Sequence, residues 1–250
     1  MTQLRDVVYV VCAGSSTITR FNATTHQPLT GINVKDLRRP FDIVACEGTS
    51  QLYVAAELKC VWRVSSDDTD IKRWLQKSPD DTFQPFKLSV TSTRLLVTSR
   101  DTHQLRQFDA DGDELRRVQL PDHMRPSHAV ESQTGTFIVS LHNTQSKQWQ
   151  VVEVNTGGEV LCQFSGSRLT SFGVTHHVAV DSHGNIFVAD QYNHSILLLD
   201  DRLSLRRVII DEHQLNYKSP LCLCYREDKG QLLVAFWDMG DVEVFEVLCC

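Results

Sequence analysis

Short apolar clusters ending in valine recur along the chain: Tyr9-Val10, Tyr53-Val54, Leu96-Val97, Ile138-Val139, Phe187-Val188 and Leu233-Val234. The valines stand 44, 43, 42, 49 and 46 residues apart, and no helical periodicity accompanies them. A period in the forties built from short β-prone runs is that of stacked four-stranded units. Eight residues after the valine comes a second apolar run with members three apart: Ile18 and Phe21, Leu105 and Phe108, Ile196 and Leu199, Val242 and Phe245. The second unit is one residue shorter, reaching Val61 and Val64, and the fourth is four longer, reaching Val151 and Val154.

A polar residue then opens a turn at Asn22, Ser65, Asp109, Asn155 and Asp200, and a further β-prone run follows, as in Leu115 to Leu120, Val160 to Phe164 and Leu205 to Ile210. Ahead of the valine lies another run, opened by Pro40, Pro85, Pro126 or Pro220. Proline suits the first residue of a strand, where no ladder donor is needed. Gly135, Gly184 and Gly230 mark the turn between the first and second strands. Each unit therefore reads as a four-stranded meander.

The fifth unit carries the most specific pattern: Asp181, then Gly184-Asn185, then Phe187-Val188-Ala189-Asp190, then Asn193-His194 and Ile196. This order resembles the NHL repeat. The resemblance implies an all-β fold, a six-bladed β-propeller in which sheets pack face to face and few edges stay exposed. It also implies kinship with the C-terminal propellers of tripartite-motif ubiquitin ligases, some of which bind RNA, and more distantly with calcium-dependent lactonases and an amidating lyase. Residues 1–250 are then one propeller domain, with blades at about 1–39, 40–84, 85–125, 126–173, 174–218 and 219–250. The first and last blades read as incomplete. The first begins with its second strand at Val7, and the last stops after its third, so either the chain is a fragment or the ring closes imperfectly.

Composition narrows the function. With 250 residues, 41% apolar and 22% charged, the chain has enough apolar residues for a sizeable core. No run approaches the roughly 18 apolar residues of a membrane-spanning helix, and no leader pattern opens the chain. These features lead to the expectation of a cytoplasmic protein with reduced, structural thiols at Cys12, Cys46, Cys60, Cys162, Cys222 and Cys224. The formal charge of -6 disfavours a dominant role on nucleic acid. The arginine pairs Arg116-Arg117 and Arg206-Arg207 lack the interleaved aromatics that stack on bases. RNA is therefore a less favoured partner.

Two sets of residues are candidates for function. The turns between second and third strands carry Glu57, Asp101, His103, Asn143, Asn193, His194 and Asp238, with Trp149 at the base of the one lengthened turn. This face suits a protein partner, a substrate or adaptor of a ligase-type protein, although Trp149 capping its own blade is the alternative use of that ring. The inner runs carry Asp42, Ser89, Ser127, His128, His176, His177 and Cys222. A calcium lactonase needs several carboxylates around one ion. Asp190 is alone at the family position, its equivalents being Cys12, Ala56, Ser99, Leu141 and Phe236. The histidines and a cysteine are the alternative, a soft-metal set. The resulting expectation is a non-catalytic protein-interaction module without cofactor or metal, with an RNA-binding propeller and a metal-dependent hydrolase or lyase as alternatives.

Overall fold

The computed structural model describes residues 1–57, 60–76, 81–99, 101–164, 177–236 and 242–247. The chain divides into two compact units, Met1–Val118 and Gln119–Cys250. The first holds three antiparallel meanders. Blade 1 comprises β1 (Thr2–Leu4), β2 (Val7–Val10), β3 (Thr17–Asn22) and β4 (Pro28–Asn33). Blade 2 comprises β5 (Pro40–Cys46), β6 (Gln51–Ala56), β7 (Cys60–Ser65) and β8 (Ile71–Gln76). Blade 3 comprises β9 (Leu88–Thr91), β10 (Arg94–Ser99), β11 (Gln104–Phe108) and β12 (Glu114–Gln119), whose last residue opens the second unit.

The second unit repeats the plan. Blade 4 comprises β13 (Met124–Glu131), β14 (Phe137–Asn143), β15 (Gln148–Val154) and β16 (Val160–Phe164). Blade 5 comprises β17 (Val178–Val180), β18 (Ile186–Asp190), β19 (Ser195–Leu199) and β20 (Leu205–Ile210). Blade 6 has three strands among the described residues, β21 (Pro220–Arg226), β22 (Gln231–Phe236) and β23 (Val242–Glu246). Helix among the described residues is confined to two short 3-10 turns, Glu47–Thr49 and Glu227–Lys229.

The repeated valines all lie on second strands and all are buried. Side chains alternate between the faces of a strand, and here both faces are covered. Leu52 and Val54 pack with blade 1, while Tyr53 and Ala55 pack with blade 3. In the second unit Val188, Leu197 and Leu199 pack with blade 4, and Phe187, Ile196 and Leu198 with blade 6. Double coverage explains why these strands are continuous apolar runs rather than alternating ones. Truncating one such leucine, Leu197→Ala, costs about 2–5 kcal/mol.

The polar turn openers act through their side chains. Asn22, Asp109, Asn155 and Asp200 each accept two or three backbone N–H groups of the following turn through one oxygen. Gly184 has φ +81°, the left-handed conformation that an L side chain adopts at a cost. One expectation needs correction: blade 1 is a full four-stranded sheet. Its first strand, Thr2–Leu4, lies against β5 as β5 lies against β9. Three residues, two of them polar, give too little alternation to read as a strand, yet Leu4 is buried in the core.

Candidate active site on the inner strands

The first strand of a blade is a sheet edge, pairing on one side only, so half of its N–H groups need acceptors from elsewhere. Three of these strands carry a proline followed by a register shift, at Pro40/Asp42, Pro126/His128 and Pro220/Cys222; Pro40 and Pro220 open β5 and β21, and Pro126 is the third residue of β13. The residue after the shift faces the residue that follows the repeated valine: Asp42 faces Ala55, His128 faces Ser140 and Cys222 faces Ala235. Hydrogen bonds put Lys87 opposite Thr98 and His177 opposite Ala189 in the same way. One register position thus carries Asp42 and Lys87 in the first unit, and His128, His177 and Cys222 in the second. All five are buried.

These side chains satisfy the edge of the next blade. Asp42 Oδ2 accepts the Leu88 N–H at 2.9 Å, His128 Nδ1 accepts the Val178 N–H at 3.3 Å, and His177 Nδ1 accepts the Leu223 N–H at 3.4 Å. In each case the donor is the residue just after the equivalent position. In the first unit Lys87 Nζ lies 3.7 Å from Asp42 Oδ1 and donates to the Phe41 carbonyl at 3.0 Å. Lys87 is a site residue that the sequence analysis does not single out, since a lysine ordinarily reads as surface; its place two residues after Pro85, the spacing of Asp42, His128 and Cys222 from their prolines, is the signal that marks it.

In the second unit the rings of His128 and His177 stack, with centroids 3.7 Å apart and planes at 21°. His177 Nε2 lies 3.6 Å from Cys222 Sγ. A neutral imidazole that accepts at Nδ1 carries its proton on Nε2. Both rings are therefore set as donors through Nε2, and His177 directs that N–H at a sulfur. The expected convergence of histidines with a cysteine is present for His128, His177 and Cys222, and His176 lies outside the described residues. The tautomer, however, differs from that of a metal ligand, whose Nε2 needs a lone pair.

The residues of the other candidate set are mostly engaged in their own turns. Asn143 Oδ1 accepts the N–H groups of Gln145 and Ser146. Asn193 donates from Nδ2 to Asp190 Oδ2 at 2.7 Å, and its N–H to Asp190 Oδ1 at 3.1 Å. Asp181 likewise accepts from the Asn185 side chain at 2.7 Å. The two Asp and Asn pairs of the NHL-like pattern are thus turn clasps. Glu57 pairs with Arg39 at 3.1 Å, Asp101 is exposed, and His103 holds φ +54° in the same turn as Asp101. Asp238 lies outside the described residues. Trp149 corrects the expectation of a contact residue: it is 2% exposed, 5.3 Å from His142 and part of the core with Ile138 and Val151, so its ring packs its own blade. His194, at φ +48°, has its ring 6.3 Å from that of Tyr217. Tyr192 and Tyr217 are each 59% exposed; they are the aromatic groups that this surface offers.

Six antiparallel blades with the first strand of each at the inner position define a six-bladed β-propeller. Solved structures share this fold. A protein of unknown function from Bacteroides caccae is 14% identical with a TM-score of 0.68, covering 93% of this chain and 83% of that one. A streptogramin B lyase is 12% identical with a TM-score of 0.65, covering 92% of this chain and 72% of that one. Virginiamycin B lyase from Staphylococcus aureus is 12% identical with a TM-score of 0.56, covering 83% and 69%. No family model and no curated protein matches the chain. The likeness at this identity is one of fold. It overturns the expectation of a non-catalytic module: lyases are built on this same fold, so a propeller of this kind gives no ground for setting catalysis aside. No helix among the described residues is long and apolar enough to cross a membrane.

Proposed function

We propose that this chain is a propeller lyase whose proton-transfer group is Cys222, with the Nε2–H of His177 directed at its sulfur and His128 stacked behind that imidazole. The observation that carries this reading is the convergence of His128, His177 and Cys222 from three successive inner strands at one register position. In its thiolate form Cys222, faced by that Nε2–H at 3.6 Å, takes the proton from carbon and, as the thiol, returns it to the leaving group, while the imidazole stays neutral. Elimination needs that capacity, since a proton leaves carbon while a leaving group departs. The backbone N–H of Leu223 fixes the ring and with it the Nε2–H that faces the sulfur. The solved lyases of this fold supply the first probe, a streptogramin B. Products whose masses sum to that of the substrate mark elimination, and products that gain one water mark hydrolysis. We expect elimination, and a loss of about a hundredfold or more in kcat/KM for Cys222→Ser. Full activity in Cys222→Ser would remove the pair from the mechanism.

A second reading, a protein partner on the turns of blade 5, rests on the exposure of Tyr192 and Tyr217 beside His194. Exposed aromatic groups are enriched at interface centres. The double variant Tyr192→Ser, Tyr217→Ser should lose partners captured by the wild-type protein, and an unchanged capture profile would refute this role.

A further inference from the structure

The repeat places a cation in two gaps between blades and a cleft in a third. The third-strand residue paired with the position just before the repeated valine is Arg20 in blade 1, Arg63 in blade 2 and Glu153 in blade 4. Arg20 reaches the turn between β7 and β8, with Nη2 4.0 Å from Asp68 Oδ2. Arg63 reaches the turn between β11 and β12, donating from Nη1 to the Ala110 carbonyl at 3.5 Å. Each guanidinium thus bridges its own blade to the outer turn of the next one.

Between blades 4 and 5 no guanidinium of the described residues fills the corresponding gap, and Gln133 Nε2 donates to the Ser182 carbonyl across it. A cleft of about 250 Å³ lies there, with half-buried Val180 on its floor above the buried Ile138 and Ile186, and with Glu153 and Asp201 also lining it. Asp201 follows Asp200 as Ala110 follows Asp109, so the acid stands at the turn position that Arg63 reaches in the earlier gap. No Lys or Arg lines the cleft. Glu153 is held by neutral donors, Thr136 Oγ1 at 2.6 Å and Cys162 Sγ at 3.2 Å. Among the described residues no cationic side chain pairs with Glu153 or Asp201.

We infer that this cleft is a binding site for a small organic cation, a guanidinium or ammonium head on a short apolar body. The head takes the place that Arg20 and Arg63 fill in the other gaps, between Glu153 and Asp201, and the body lies on Val180, with Ile138 and Ile186 directly beneath it. A charged head between two carboxylates is favoured by charge-assisted hydrogen bonds, which a neutral or anionic head of the same size lacks. The apolar floor adds affinity to all three without discriminating among them.

The test uses n-butylguanidinium and n-butylammonium as probes, with n-butanol and butyrate as the neutral and anionic counterparts, in a methyl-labelled NMR titration of the full chain. We expect saturable shifts of the Ile138, Val180 and Ile186 methyls with the two cations, weakened by about tenfold in Glu153→Gln and in Asp201→Asn. Asp201 lies in an exposed turn, so the second variant folds even if the first does not. Glu153→Arg recreates the arrangement of the first two blades and should abolish binding while preserving the fold. Equal affinity for n-butanol, shifts confined to other methyls, absence of saturation, or unchanged binding in both acid variants would each overturn the assignment.

Discussion

Replacing His128 with alanine tests the claim that the inner-strand side chains hold successive blades together. The Nδ1 atom accepts the Val178 N–H, a donor on a strand edge with no neighbouring strand to pair with. Both residues are buried, His128 being 2% exposed and Val178 0%. Removing the ring leaves that N–H buried without its acceptor, which costs about 1–3 kcal/mol. Loss of the stacked ring leaves a cavity beside His177 and adds about 1–2 kcal/mol more. Asparagine at the same position is informative, because its Oδ1 is attached at Cγ as Nδ1 is. His128→Asn should therefore recover the hydrogen-bond part and not the stacking part. The assay is native-state hydrogen exchange of the Val178 amide, which reads local opening without assuming that the two units unfold together. Each 1.4 kcal/mol lost accelerates exchange about tenfold, so His128→Ala should speed the Val178 amide by roughly tenfold or more, and His128→Asn by much less. Equal acceleration in the two variants, or an unchanged Val178 amide in both, would show that the ring serves packing alone.

Two further outcomes follow from charges placed inside the blades. Removing Asp42 strands the Lys87 ammonium, so Asp42→Ala should cost about 3–5 kcal/mol in urea unfolding, whereas Asp42→Asn combined with Lys87→Met should cost far less than the two single changes added together; strict additivity would dissolve the pair. Burial first, and then the Glu153 carboxylate, push the Cys162 thiol up from 9.0 to about 11; a folded value above the unfolded one means stability present below pH 9 and lost as pH rises toward 11, so Cys162→Ser should flatten alkaline unfolding in that window and Glu153→Gln should shift iodoacetamide labelling of Cys162 to lower pH.

How far the residues alone carry the reading differs between frame and site. The valine spacing and the turn openers place every blade because each depends on local physics: a doubly buried strand must be apolar, and an Asp or Asn oxygen closes its own turn. The first strand of blade 1 escapes that logic, since Thr2 and Gln3 are polar and only Leu4 anchors it. The inner-strand position was half visible. His128, His177 and Cys222 stand out as chemistry-bearing groups, but their common register depends on a shift that follows each proline, and a one-residue slip in a strand changes which face a side chain takes. Lys87 keeps the same two-residue spacing from Pro85 and is hidden for a different reason, that a lysine ordinarily reads as surface. Trp149 illustrates the opposite limit: composition places aromatic groups at interfaces on average, while the pairing of β14 with β15 turns this ring inward. The arginine-to-glutamate change at Glu153 was legible only after register made Arg20 and Arg63 its equivalents.

The same register separates the structural duty of His177 from its proposed chemical one. Its Nδ1 holds the Leu223 N–H of the next blade, and its Nε2 faces Cys222. A side chain kept only for the first task needs an acceptor at the δ position, as Asp42 demonstrates in blade 2. A side chain kept to hold the Cys222 thiolate needs the Nε2–H as well. His177→Asn retains the first and deletes the second, so it should keep the Leu223 amide protected and the thermal midpoint within a few degrees of wild type, given that the hydrogen bond at stake is worth about 1 kcal/mol. The same variant should lower kcat on an eliminated substrate by about a hundredfold, the usual contribution of one positioned donor to a charged group in an active site. His177→Ala should lose both the amide protection and the turnover. Turnover unchanged in His177→Asn would leave the imidazole as an inter-blade staple, and its chemical role beside Cys222 would then fail while the fold argument stood.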